Sequence, residues 1–120
     1  MAMSFHAEMP DEARRKIASR FRALGEPMRL RMLQRLFRGP ANVGEILEAV
    51  GGTQANVSKH LALLYKEKLV ERRKDGTRTV YSIADPTLVK ICSIVCDEVE
   101  RETRVNARAI LGPPRKRARG

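Results

Sequence analysis

The chain has 120 residues, which is enough for one compact domain with a hydrophobic core. Its 24 Lys and Arg residues outnumber its 14 Asp and Glu residues, and the formal net charge is +10 at pH 7. The sequence has neither a run of about 20 apolar residues that could span a bilayer nor a secretory signal at its start. We therefore expect a cytoplasmic protein with no membrane partner, whose basic charge favours a polyanion, most often nucleic acid.

Apolar residues at helical spacing predict four helices in the first half of the chain. The first begins after Pro10 and ends at Gly25, and the second begins at Pro27 with Arg29 and Arg31 turned outward. The predicted apolar faces are, helix by helix, Ile17, Phe21 and Leu24; Leu30, Leu33 and Phe37; Val43, Ile46, Leu47 and Val50; and Val57, Leu61 and Leu64.

The third and fourth of these helices form a predicted helix-turn-helix. They are separated by Gly51 and Gly52, and Thr53 is a suitable N-cap for the fourth helix, which should continue to about Lys68. A short helix, a tight turn that contains Gly and a second helix that begins with small polar residues are typical of this motif.

After the fourth helix the hydrophobic period changes from helical to alternating. Asp75 and Gly76 lie between two segments suited to β-structure, and an Asp-Gly dipeptide there favours a two-residue hairpin with a type I′ turn. Basic residues crowd this hairpin. A basic hairpin directly after a helix-turn-helix is typical of a wing.

A fifth, long helix is predicted from Asp85 and Pro86 onwards. Its apolar stripe comprises Leu88, Ile91, Cys92, Val95 and Val99. The predicted fold class is therefore mainly α with a small β-hairpin, a winged helix-turn-helix of five helices and a two-stranded wing. We expect a flexible N-terminus at 1–10, the folded domain at 11–112 and a disordered basic tail at 113–120.

The first turns of the fourth helix carry side chains that suit entry into the major groove of DNA. Gln and Asn make bidentate contacts to adenine, and Lys contacts guanine or phosphate. The predicted DNA contacts are Gln54, Asn56, Ser58, Lys59 and His60 on this helix and Arg72, Arg73, Lys74 and Arg78 on the wing. The alternative is a solvated polar face on an ordinary helix, and for His60 a packed side chain. The preceding short helix, the basic wing and the net charge favour DNA.

Three segments, in the same order, resemble parts of the ArsR/SmtB repressors. FRALGEPMRLRML at 21–33 resembles their second-helix signature, TQANVSKHLALL at 53–64 their recognition helix, and LVERRKDGTRTVY at 69–81 their wing. The resemblance covers about residues 13–105 and implies a bacterial repressor that binds an inverted-repeat operator in double-stranded DNA. It also implies a homodimer formed through the first and last helices, and an inducer that releases the DNA.

The metal-sensing positions of that family are not retained. Asn42 and Gly44 stand where arsenic-sensing members carry thiolates. The zinc-ligand positions of other members match Asp85, Thr87, Glu98 and Arg101. Because zinc takes N, O or S ligands throughout and an Arg cannot supply one, we expect no zinc site and no required cofactor.

Cys92 and Cys96 remain as a candidate inducer site, four residues apart on one side of the last helix. They could pack as small hydrophobic residues, since free Cys is often buried. Two thiolates at this spacing could instead bind a soft metal or metalloid ion such as arsenite, Cu(I) or Cd(II). Oxidative sensing is a third possibility, because a disulfide at this spacing would distort the helix.

Two further interpretations compete with an inducible repressor. One is a winged-helix repressor with no inducer site, and the other is a basic RNA-binding structural protein. An enzyme is not expected, because no nucleophile–base pair, phosphate-binding loop or pair of catalytic carboxylates is evident in the sequence.

Overall fold

The computed structural model describes Phe5 and residues 7–110, with side chains described as far as Arg104. It confirms the five predicted helices and the hairpin. The elements are α1 (Asp11–Leu24), α2 (Pro27–Phe37), β1 (Ala41–Asn42), α3 (Val43–Val50), α4 (Gln54–Lys66), β2 (Val70–Asp75), β3 (Arg78–Ile83) and α5 (Pro86–Ile110). Within this described part, no helix is long and apolar enough to cross a membrane. The predicted basic tail at 113–120 and much of the predicted flexible N-terminus at 1–10 lie outside the described residues.

Side-chain caps fix where α2 and α3 begin. The Glu26 carboxylate accepts a hydrogen bond from the backbone N–H of Arg29 at 2.8 Å and so caps α2. At α3, Asn42 Oδ1 accepts from the N–H of Glu45 at 2.9 Å, and Glu45 Oε1 accepts from the N–H of Asn42 at 3.0 Å. This reciprocal capping box satisfies two backbone donors that the helix leaves without partners.

The three strands form one antiparallel sheet in the order β1-β3-β2. Asp75 pairs with Arg78 at the end of the hairpin, so the turn consists of Gly76 and Thr77. Of these two residues, only Gly76 has a positive φ, +64°. The predicted type I′ turn is therefore wrong, since a positive φ at the first central residue alone, with Gly there, matches type II′. The short strand β1, which pairs with β3, was not predicted.

The core of the first unit, which ends at Asp85, contains side chains from α2, α3, α4 and the sheet. Its members include Met32, Leu33, Leu36, Ile46, Val57, Leu61, Leu64 and Val70. The apolar face predicted for α2 is only partly right, because Leu30 and Phe37 are exposed. Arg29, predicted to point outward, is half-buried. On α1, Ala23 is buried and Phe21 is exposed.

The second unit begins at Pro86 and contains α5. Among the side chains of α5 that the structure describes, which extend to Arg104, the exposed large apolar ones are Ile91, Ile94, Val95 and Val99. Ion pairs within the helix join Arg101 to Glu98 and Arg104 to Glu100 at its exposed surface. Such exposed ion pairs contribute little to the stability of the helix. The exposed apolar side chains are therefore the feature of α5 that a role has to explain.

Candidate nucleic-acid interface

Buried side chains fix the rotation of α4. Val57, Leu61 and Leu64 each have 0% of their surface exposed, which turns the opposite side of the helix to solvent. At its start, Thr53 Oγ1 accepts from the N–H of Asn56 at 3.1 Å, as predicted for the N-cap. The predicted base contacts on the exposed side are Gln54, Asn56, Ser58 and Lys59, all of which are exposed. The first two turns of α4 therefore form a projecting polar surface of groove-compatible side chains.

The C-terminal end of α4 directs the chain into the wing. Lys68 has φ +61°, and its N–H bonds to the carbonyl of Tyr65 while the N–H of Leu69 bonds to that of Leu64, both at 3.0 Å. This pair of bonds is a Schellman motif, which usually places Gly at the position that Lys68 occupies. The helix ends at Lys66, two residues before the predicted end. The left-handed residue explains the difference, because α-helical bonding cannot continue through it.

The wing exposes the four basic side chains predicted for it, Arg72, Arg73, Lys74 and Arg78. The guanidinium of Arg72 lies 3.9 Å from the centre of the Tyr65 ring, a cation–π contact that joins the wing to the last turn of α4. An open concavity of about 390 Å³ lies beside this contact. It is lined by Tyr65, Arg72, Arg73, Lys74, Thr79 and Tyr81. Sequence reasoning missed Tyr65, although an aromatic residue next to a basic strand is a usable signal.

His60 differs from the other predicted contacts because it is half-buried. Its Nδ1 lies 3.1 Å from Nη1 of Arg29 and 4.0 Å from Oε2 of Glu26. Hydrogen bonds from the backbone of Arg29 and neighbouring residues hold the pKa of Glu26 below its usual value. The side chain of His60 is 17% exposed, so most of its surface is covered by other residues of the protein. The ring of His60 therefore contacts mainly other protein groups and is only in small part available to solvent or DNA.

The candidate inducer residues lie on α5, in the second unit. Cys96 is exposed and Cys92 is half-buried, and burial raises the pKa of the Cys92 thiol. Among the residues that the structure describes, no three His, Cys, Asp or Glu side chains form a group that could hold a metal ion. Asn42, at one of the family's thiolate positions, serves here as the N-cap of α3. A metal ion at α5 would therefore find two thiol ligands, Cys92 and Cys96, in the described part of one protomer.

Comparison with known proteins places the chain among transcriptional regulators. A family model described as a helix-turn-helix domain matches residues 24–73. A probable mercury resistance operon repressor of Streptomyces lividans is 38% identical over 85 residues, which cover 71% of this chain and 68% of that protein. The HTH-type transcriptional regulator NmtR of Mycobacterium tuberculosis is 34% identical over 85 residues, 71% of each chain.

The fold of the chain matches that of a solved homodimeric DNA-binding domain. A homodimeric winged helix-turn-helix DNA-binding domain from Mycobacterium bovis, described as a possible ArsR-family transcriptional regulator, superimposes with a TM-score of 0.71 at 27% identity. The match covers 88% of this chain and 95% of that domain. These relatives are DNA-binding regulators and not enzymes, in agreement with the sequence. The chain belongs to the ArsR/SmtB family of winged helix-turn-helix transcriptional repressors.

Proposed function

We propose that the first turns of α4 contact base edges in the major groove of an operator while the wing contacts phosphates. The observation that carries this proposal is the rotation of α4, since burial of Val57, Leu61 and Leu64 leaves the four predicted base contacts, with Ala55 beside them, on the exposed side. Gln54 and Asn56 suit adenine, and Lys59 suits guanine. The exposed wing cations, joined to the last turn of α4 through Arg72 and Tyr65, would neutralise the DNA backbone.

An inverted-repeat operator follows from a homodimer with twofold symmetry, because each recognition helix then meets one half-site. We propose that α1 and α5 form the dimer interface. Exposed apolar side chains support this assignment on each helix taken by itself, Phe21 on α1 and Ile91, Ile94, Val95 and Val99 on α5. Large contiguous apolar patches on the surface of a folded chain are typical of protein–protein interaction sites.

For the inducer, we propose a thiol-reactive species or a soft metal or metalloid ion that acts at Cys92 and Cys96. The two residues lie one helical turn apart in the continuous helix α5, and Cys96 is exposed to solvent. Soft ions prefer thiolate ligands, and one relative is named a probable mercury resistance operon repressor. A change at these residues would alter α5, and through the proposed dimer interface the spacing of the two recognition helices.

The DNA contacts are tested with a duplex selected by the wild-type protein from a random-sequence pool. Lys59→Ala should weaken binding to this duplex by about 1–3 kcal/mol and relax base preference at one position of each half-site. Arg78→Ala should weaken binding to all sequences alike and reduce the slope of log K against log salt by about 1, because a phosphate contact releases counterions.

Lys16→Ala is the matched control, since it removes one positive charge from an exposed side chain of α1 that pairs with Glu12. It should bind the duplex nearly as tightly as the wild type at fixed salt. If Lys59→Ala and Arg78→Ala also behave like the wild type, the assignment of α4 and the wing to DNA is wrong. An RNA hairpin that competes as well as the selected duplex would favour the RNA-binding alternative.

A further inference from the structure

Arg29 lies where α1, α2 and α4 come together. Its Nε donates to the carbonyl of Ala23 at 2.7 Å, and its Nη2 donates to the carbonyl of Arg22 at 3.2 Å. Its Nη1 donates to Nδ1 of His60 on α4 at 3.1 Å. One guanidinium group therefore connects the C-terminal end of α1 to the middle of α4.

The local sequence explains why this side chain reaches the end of α1. The last four carbonyls of a helix lack partners within the helix, and they attract cations. α1 ends at Leu24 and α2 begins at Pro27, so two residues join the helices. Glu26 caps α2 through the N–H of Arg29, which holds that residue in the first turn beside the carbonyls at the end of α1.

A second hydrogen bond joins α1 to the residue that directly follows the C-terminal end of α4. The Ser19 hydroxyl of α1 donates to Oε2 of Glu67, the residue directly after α4, at 2.7 Å. The recognition helix is thus connected to α1 by polar contacts at its middle and at its C-terminal end. Its first two turns remain projecting, and their direction depends on how the rest of the helix is held.

We infer that Arg29 is a positioning residue for DNA binding, which holds α4 in a fixed rotation relative to α1 through His60. This inference rests on the proposed use of α4 in the major groove. Asn56 lies one turn before His60 on the same side of the helix, so a rotation at His60 would displace it. Bidentate contacts to a base require placement within about 0.5 Å and 10–20°. Loss of the Arg29 contact would therefore reduce affinity without removing any group that touches DNA.

The contact also determines the tautomer of His60. A guanidinium group only donates hydrogen bonds, so Nδ1 of His60 must accept. The neutral ring therefore carries its proton on Nε2. Long-range ¹H–¹⁵N correlation spectra of the wild-type homodimer should show Nε2 protonated and Nδ1 unprotonated, without any reference to DNA.

The DNA experiment compares Arg29→Met with Arg31→Met in the full-length chain, using the duplex selected by the wild type. Both changes remove one positive charge from α2, but Arg31 is exposed and Arg29 is half-buried. Arg29→Met should reduce affinity about tenfold, and Arg31→Met by about threefold or less. The slope of log K against log salt should be unchanged in Arg29→Met, because Arg29 bonds to protein groups and not to phosphate.

Two variants of His60 keep the inference testable if Arg29→Met does not fold. His60→Asn retains an acceptor oxygen near the position of Nδ1 and should bind the duplex within about twofold of the wild type. His60→Leu removes the acceptor and should show the loss expected for Arg29→Met. If His60→Asn binds as weakly as His60→Leu, His60 contacts DNA directly and the positioning role is refuted.

The remaining outcomes separate this inference from the function on which it rests. Wild-type affinity in Arg29→Met, together with weakened binding in Lys59→Ala, would overturn the positioning role and leave the proposed DNA surface intact. A salt slope reduced by about 1 in Arg29→Met would make Arg29 a phosphate contact instead. Protonation of Nδ1 in the wild-type spectra would overturn the hydrogen-bond geometry itself.

Discussion

Truncation of Leu61 tests the rotation of α4, on which the whole candidate interface depends. Leu61 is 0% exposed. Leu61→Ala removes three carbon atoms from the core, which at about 0.8 kcal/mol for each buried methylene costs about 2.4 kcal/mol of transfer free energy. The cavity that remains adds a further term, so the free energy of unfolding should fall by about 3–4 kcal/mol.

Leu63→Ala is the matched control, because it makes the same chemical change two residues further along the same helix, where the side chain is half-buried. We expect it to cost about 1–1.5 kcal/mol, since roughly half as much apolar surface returns to water. Urea unfolding followed by circular dichroism measures both values. The total chain concentration must be kept constant, because the apparent stability of a homodimer depends on it.

The difference between the two variants carries the test. If Leu61→Ala costs no more than Leu63→Ala, then Leu61 does not face the core and α4 is rotated from the position described. Gln54 and Ser58 would then both lie away from the exposed side, and the proposed base contacts would lose their structural basis. Equal m-values in the two variants would show that the comparison concerns the native state and not the denatured one.

Two further predictions follow from single residues. Lys68→Gly should raise the free energy of unfolding by about 0.5–1 kcal/mol, because Lys68 has a left-handed backbone at φ +61° that Gly adopts without strain. Lys68→Val should lower the free energy of unfolding, because a β-branched residue is strained in this conformation. Thermal melts measure both variants, and equal Tm values would contradict backbone strain at this position. Because burial raises the pKa of Cys92, its thiolate fraction at neutral pH is below that of an ordinary thiol. Iodoacetamide should therefore modify Cys92 more slowly than exposed Cys96, and the rate at Cys92 should still rise at pH values where the rate of a normal thiol has reached its plateau. Mass spectrometry of the two sites at several pH values measures both rates. Identical pH profiles at the two cysteines would contradict the raised pKa of Cys92.

Local patterns were sufficient to predict the helix-turn-helix and the hairpin. The fourth helix has one apolar stripe, and Thr53 precedes it as an N-cap, so spacing alone gives its rotation. In the wing, side chains of different polarity alternate along each strand, and one turn dipeptide separates the strands. The existence of the hairpin was therefore also predictable. The turn type was not, because the register places Asp75 in the strand opposite Arg78 and leaves Gly76 as the first turn residue.

Features that join distant parts of the chain were not predictable from spacing. α2 carries two overlapping apolar stripes, and helical periodicity cannot decide whether Leu30 and Phe37 or Met32 and Leu36 face the core. Arg29 has the sequence pattern of a solvated Arg. Its actual role depends on the carbonyls at the end of α1 and on His60, 31 positions away. The strand β1 has two residues, too few for an alternating pattern to appear.

Asn42 has a double role that bears on how this family could diversify. The residue caps α3 and also pairs with Val80 in the middle of β3, so the wing and the start of the helix-turn-helix share one position. The tip of the wing, Gly76 and Thr77, lies beyond the residues of β3 that pair with β1 and has no such second task. Lengthening the tip would therefore leave the helices in place, whereas an insertion beside Asn42 would disturb both. Evolution or protein engineering could therefore vary the length and sequence of the wing tip independently of the helices. Such changes would alter how far the wing extends along DNA and leave the rest of the fold unchanged.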